Sequence, residues 1–320
     1  MRILEPADAI VAGGGLAGLV AALELLTAGK SVLLLEKGSS EDLGGLAKEA
    51  FGGVTMVGTP QQRRLRIPDS PAVAFEDWLR IAEFEPTDVW PKAWARLYCE
   101  RSMDLIYDFL VGQGVTFLPV VNWPERGLLT PGNSLPRWHI TWGTGSEIIK
   151  KVLAALERHP HRDRLRVLCD HEVARLEVEQ GRAVGVAGRD LRDGVDFRAR
   201  AESTLIAAGG ICGGDLSTVK KHWNPNWGEP PASLLNGSHR YADGLLHEQV
   251  RRAGGMLTHL ENQWHYAAGI HHPARRKSQD GLSLLPPRSA LWLNARGKRI
   301  GPMPLVGYTD TRHLVEAILA

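Results

Sequence analysis

The chain has 320 residues, enough for one large domain or two modest ones, and its 43% apolar share can fill a sizeable core. A formal net charge of +2 excludes the strongly basic surface that would point to nucleic acid or an anionic membrane. Cys99, Cys169 and Cys212 are far apart and lack metal-ligand or disulfide-framework spacing, so inert thiols in a reducing compartment are expected, with no metal.

The first residues, "MRILEPADAIVAGGG", hold one Arg, then Glu5, Pro6 and Asp8, and do not read as a secretory leader. Residues 9–12 read as a buried strand and 17–27 as a helix rich in Ala and Leu, ended by Gly29. Glu24 interrupts that helix, so it predicts no membrane span, and a soluble cytoplasmic protein is expected. Residues 31–36, "SVLLLE", read as a second buried strand, completing a βαβ unit. A glycine-rich loop follows over 43–54. Residues 71–112 read as helical, 115–121 as a strand, 122–145 as loop-rich and 146–157 as helix. The stretch "LRVLCDHEVARLEVEQGRAVGVAGRD" alternates apolar and polar residues and predicts antiparallel strands. "STLIAAGG" reads as one more buried strand, and 242–253 as a helix. The ten Trp residues are expected mainly in core or interdomain space, some of them lining a flat apolar pocket.

Gly13, Gly15 and Gly18 form a G-x-G-x-x-G frame inside the βαβ unit. Gly13 permits the tight turn, Gly15 lets backbone approach a pyrophosphate, and Gly18 lets helix and strand pack closely. The helix N-terminus offers free N–H groups and a positive dipole end to phosphates. Glu36 ends the second strand, placed to accept from ribose hydroxyls and to repel a 2′-phosphate, which argues against NADP. The frame alone does not separate NAD from FAD. In the following loop Gly44, Gly45, Gly52 and Gly53 would let backbone lie against an extended cofactor.

Taken in order, "LLLEKG", "GGLAKEAFGG", "PRWHITWGTG", "IAAGG", "ADGLLHE", "WHY" and "LWLNARGKRI" resemble one flavoprotein family. It contains the flavoprotein subunits of fumarate reductase and succinate dehydrogenase, L-aspartate oxidase and the 3-ketosteroid dehydrogenases. The likeness runs over most of the chain and is nearest to the bacterial FAD-binding dehydrogenase branch compared with the ketosteroid enzymes. It implies an α/β fold: a Rossmann-like FAD-binding domain with a central parallel sheet and an added antiparallel β-layer. That domain would span 1–285, with a helical and loop insertion at about 60–140, and a cap domain would begin at 286–320. The resemblance implies extended FAD, with Gly13, Gly14, Gly15, Leu16, Ala17 and Gly18 at the pyrophosphate and Glu36 with Lys37 at the adenosine ribose. Gly44, Gly45, Ala47, Gly52 and Gly53 match the loop near the flavin. Val173 matches an adenine contact, Ala208 and Gly209 the strand end beside the cofactor, and Asp243 a motif near the substrate face. That loop contains no His, so noncovalent FAD is expected.

The resemblance also suggests catalytic roles for His265, at the position of a substrate-binding His, and for His139, in a loop facing the flavin. It implies movement of a hydride between flavin N5 and a carbon–carbon bond beside a carbonyl or carboxylate. The partners would be a small-molecule substrate and an unidentified electron donor or acceptor. In "GKRIGPMPLVGYTDTRH" Arg299 and Arg312 remain, but the Asn-Glu pair of fumarate reductases is missing. An enone or ketosteroid-like substrate is therefore favoured over fumarate. The returning "GLYAAGE"-like strand of the family is absent before Ala320, so a shortened chain with little or no turnover of its own is expected. Two other readings stay open: a non-catalytic nucleotide-binding remnant and an NAD-only dehydrogenase.

Overall fold

The computed structural model describes residues 1–284, 291–300 and 310–319. In chain order its strands and helices begin with β1 (Arg2–Ile3), β2 (Ala7–Ala12), α1 (Leu16–Thr27) and β3 (Val32–Leu35). They continue with α2 (Gly45–Glu49), β4 (Gly53–Thr55), α3 (Pro60–Arg64), α4 (Pro71–Ala82) and α5 (Val89–Glu100). A π-helical turn at Ser102–Asp108 leads into α6 (Phe109–Gly112), β5 (Phe117–Asn122), β6 (Trp138–Thr141) and α7 (Thr144–Glu157). The second half holds β7 (Leu165–Leu168), β8 (His171–Glu179), β9 (Arg182–Asp190), β10 (Asp196–Ile206) and α8 (Leu216–Lys221). The last elements are α9 (Leu245–Arg252), β11 (Gly269–His271), β12 (Gly281–Ser283) and α10 (Thr311–Leu319).

The main sheet runs β7-β3-β2-β10-β9-β8. Its first four strands are parallel and the last three form an antiparallel meander. The eleven-residue β10 belongs to both: Ala201–Ile206 pairs with β2, and Asp196–Arg200 pairs with β9. Side chains of β2 and β3 alternate between two faces, as the two-residue period of a strand requires. Val11, Val32 and Leu34 pack on α1 and α7 through Leu19, Leu26, Ile149 and Val152. Ile10, Ala12, Leu33 and Leu35 pack on the meander through Val173, Val186, Phe197 and Ala199. Both faces of the parallel strands are thus covered, which explains the uninterrupted apolar runs in the sequence.

Two expectations are corrected. The end of β10 is not fully buried: Leu205 is 42% exposed, because it shares a face with its partner Val11 but lies beyond α1 and α7. Residues 122–145 are loop-rich as expected, with the short β6 among them pairing with β4 and β5. No described Trp is fully buried, and Trp90, Trp94, Trp142 and Trp264 are more than 60% exposed. The core is built of Val, Leu, Ile and Ala instead, with Trp too large to be enclosed there. The expected boundary at 285/286 lies outside the described residues.

The 60–140 insertion has a charged centre. Arg137, 2% exposed, donates from Nε and Nη2 to the two Asp69 oxygens at 2.9 and 2.8 Å, and from Nη1 to Asp77 Oδ2 at 2.5 Å. The Ser134 N–H and hydroxyl also donate to Asp77. Burial pushes the Asp77 carboxyl up, but these hydrogen bonds outweigh it and hold its pKa below the usual carboxylate range. The helix α10 docks on the same insertion. The Asp310 carboxylate accepts the Leu128 and Leu129 N–H groups, and Glu125 accepts from Thr311.

Candidate cofactor site

Where β2 ends, the chain turns at Gly13 with φ 114°, and a Cβ there would stand 2.3 Å from the Ala207 carbonyl oxygen. At Gly18 a Cβ would stand 1.9 Å from the Gly13 carbonyl oxygen, so only glycine lets α1 lie this close to the turn. Gly15, the N-cap of α1, has open space where its Cβ would be. The first turn of α1 carries no acidic residue, so its positive dipole end is uncompensated. Glu36 braces this turn from beneath. Its Oε2 accepts the Gly14 N–H at 2.6 Å and its Oε1 the Gly38 N–H at 2.7 Å. Each oxygen retains a lone pair for a ribose hydroxyl.

These elements line a cavity of about 560 Å³, within the usual size of ligand pockets. It collects Gly13, Gly15, Leu16, Ala17, Glu36, Lys37, Gly44, Gly45, Ala47, Val173, Ala208, Gly209 and Asp243. Gly14 and Gly18 shape the turn without lining it. Gly52 and Gly53 are not brought there. A Cβ on Gly52 would meet the Thr144 backbone at 2.6 Å, and one on Gly53 would meet the Trp138 ring. These two glycines serve packing between the loop, α7 and β6. Sequence reasoning missed Ser238, His239, Tyr241 and His247, which line the opposite wall around Asp243. The available signal was their nearness to "ADGLLHE".

Lys37 is the single Lys or Arg among the described lining residues. Its Nζ lies 2.6 Å from Glu172 and 2.9 Å from Asp243. Burial acts against its charge, but these two partners outweigh burial and raise its pKa. With that cation committed, a pyrophosphate must be met by the backbone N–H groups of the glycine turn and the α1 dipole. An open position at Gly15, an unopposed helix N-terminus and an acidic ribose partner fit a dinucleotide diphosphate.

The two candidate catalytic His residues lie elsewhere. His139 is fully buried on β6. Its Nε2 is 2.8 Å from Thr59 Oγ1 and its Nδ1 2.8 Å from the Arg137 carbonyl. Burial lowers its pKa, so it is a neutral link between strand and insertion, and its expected place facing the cofactor is corrected. His265 is half-buried between Trp223 and Trp227, with ring centroids 4.9 and 5.4 Å away, outside the cavity lining. Burial lowers its pKa too. The three thiols have pKa values raised by burial, Cys99 up to about 11, and no His, Cys, Asp or Glu cluster among the described residues could hold a metal. No helix among them is long and apolar enough to cross a membrane.

A three-layer α/β fold with a diphosphate turn at the C-terminal ends of parallel strands defines a dinucleotide-binding protein. The chain belongs to the FAD binding domain family, whose profile matches residues 8–320, and FAD is its cofactor. It is 37% identical to a KsdD-like steroid dehydrogenase of Mycobacterium tuberculosis over 98% of this chain and 57% of the relative. A KsdD-like steroid dehydrogenase of Mycolicibacterium smegmatis is 38% identical, over 98% of this chain and 60% of the relative. The chain thus spans somewhat under two thirds of the length of these relatives. A cytochrome-type fumarate reductase of Shewanella frigidimarina is 26% identical over 65% of this chain and 34% of its own. In fold, the chain is similar to the 3-ketosteroid delta1-dehydrogenase of Sterolibacterium denitrificans. That match has a TM-score of 0.71 at 16% identity and covers 93% of this chain and 63% of the other.

Proposed function

We propose that this chain is the cofactor-binding part of an FAD-dependent oxidoreductase that acts on a 3-ketosteroid or a similar enone. The observation that carries this reading is the 37–38% identity to two steroid dehydrogenases over 98% of the chain. Bound FAD would supply hydride transfer to or from a carbon–carbon bond beside a carbonyl. The chain's own part is to hold the diphosphate on backbone N–H groups, anchor the ribose at Glu36 and exclude water with the 238–243 wall.

His265 is the residue proposed to meet the substrate. Burial lowers its pKa, and its imidazole can offer an N–H to a ketone oxygen. His265→Ala is expected to lower kcat/KM for the steroid by about ten-fold or more, with flavin content unchanged. Steady-state assays on flavin-quantified protein check it, and wild-type kinetics in the variant would remove His265 from the site.

The reading as a whole is tested by supplying the complete flavoprotein that contains this chain with a 3-ketosteroid and an artificial electron-accepting dye. Dye reduction that depends on the steroid is expected. Rapid fumarate reduction with a reduced dye, and none with steroids, would sink it.

A further inference from the structure

The cofactor cavity is lined by an N-terminal part of the chain, the glycine turn with the end of β3 and the segment 44–47, and by a later part that includes residues 171–173, 206–212 and most of 238–247. Three charged contacts join these two parts of the chain, one between lining residues and two just outside the lining. Lys37 reaches Asp243 at 2.9 Å, and Arg240 Nη2 meets both Asp42 oxygens at 2.9 Å. Arg276 pairs with Glu49, its Nη2 lying 3.1 Å from Oε2. The later part is fastened from behind to the segment bearing Arg276. The Asn236 N–H donates to the Gln279 carbonyl at 2.7 Å, and Lys277 Nζ donates to the Ser238 carbonyl. Arg240 lies outside the cavity lining, but its guanidinium sits 4.6 Å from the centre of the Tyr241 ring, which is part of that lining. Asp42 is fixed in turn by the Ser39 N–H and hydroxyl.

We propose that residues 236–243 form a strap over the FAD cavity, and that the Arg240–Asp42 and Arg276–Glu49 pairs set how long FAD stays bound. An extended dinucleotide held against both parts of the lining would leave as they part, and parting would break these pairs. Arg240 is a positioning residue: it lies outside the cavity lining and acts through Asp42 and Tyr241. The pairs are part-exposed, with side-chain exposures of 33% and 16% for Arg240 and Asp42 and 40% and 29% for Arg276 and Glu49, so salt reaches and screens them. The strap is independent of which substrate the enzyme takes.

The test follows flavin fluorescence as FAD leaves the loaded protein after dilution. Arg240→Gln is expected to speed release about three- to ten-fold, and Arg240→Lys, which keeps the charge, to stay nearer wild type. Glu49→Arg and Arg276→Glu are each expected to speed release, and the double reversal Glu49→Arg with Arg276→Glu to restore it. Raising salt from about 0.05 M to about 0.5 M should hasten release from wild type more than from Arg240→Gln. Melting of each protein without FAD separates loss of the clasp from loss of the fold. Release rates that do not change in folded Arg240→Gln and Arg276→Glu proteins would overturn the proposal. So would a double reversal that releases FAD as fast as its single parents.

Discussion

Gly18→Ala and Gly15→Ala are expected to fail in opposite ways, although both alter the same turn. A Cβ at Gly18 would stand 1.9 Å from the Gly13 carbonyl oxygen, a fixed backbone atom, so α1 must move off the sheet. Overpacking of that kind costs about 3 kcal/mol, and melting should fall by roughly 5 °C or more, with flavin lost as a consequence. Gly15 has φ −70° and ψ 178°, values any residue adopts, and no atom lies within 4 Å of its Cβ position. Ala there should leave the protein without FAD within about 1 kcal/mol of wild type. It places a methyl group where backbone must approach the diphosphate, so FAD affinity should drop by about ten-fold or more. Calorimetry without cofactor and flavin titration together check both. A Gly15→Ala protein with wild-type FAD affinity would show that the diphosphate does not pass over this residue.

Arg137→Met is expected to be the most destabilising substitution in the insertion. It leaves Asp69 and Asp77, each 2% exposed or less at the side chain, without their shared cation. Breaking a buried pair by removing one partner costs about 3–5 kcal/mol. Arg137→Lys should recover only part of this, since one ammonium cannot reproduce the two-oxygen fork on Asp69 together with the bond to Asp77. The pH dependence follows from the depressed pKa of Asp77. Its contribution is complete above the ordinary value of 3.8 and is lost as pH falls through the lower folded value. In the variant Asp77 keeps Arg80 and the two Ser134 donors but loses the Arg137 bond, so its carboxyl is held ionised less strongly and the gap between the two proteins should narrow towards pH 3. Denaturant melts over about pH 3 to 7 measure it. A constant gap would mean that Arg137 acts through packing alone.

The cofactor half of the site was legible because its residues lie close together in the chain. From Gly13 to Lys37 the strand, turn, helix and second strand form one local unit, and its spacing alone aims the helix N-terminus and Glu36 at one cavity. Gly52 and Gly53 carried the same letters as Gly44 and Gly45 but answer to other neighbours. Their missing side chains make room for Thr144 and Trp138, and no count along the chain distinguishes room for a cofactor from room for a helix.

His139 makes the same point about catalysis. Its motif suggested a catalytic face, yet both ring nitrogens are taken, one by Thr59, which is 80 residues earlier in the chain. The Arg137 cluster joins residues 60 and 68 apart, and the Asp42–Arg240 pair joins residues 198 apart. The sequence by itself determined the dinucleotide turn, the ribose carboxylate and the apolar runs of the first two parallel strands. Each of these depends on residues within one or two turns or strands of each other. Only the tertiary structure decided which His is free, which charges are paired and what closes the cavity, because hydrogen bonds and ion pairs are short-ranged and their partners are brought together by the folded chain.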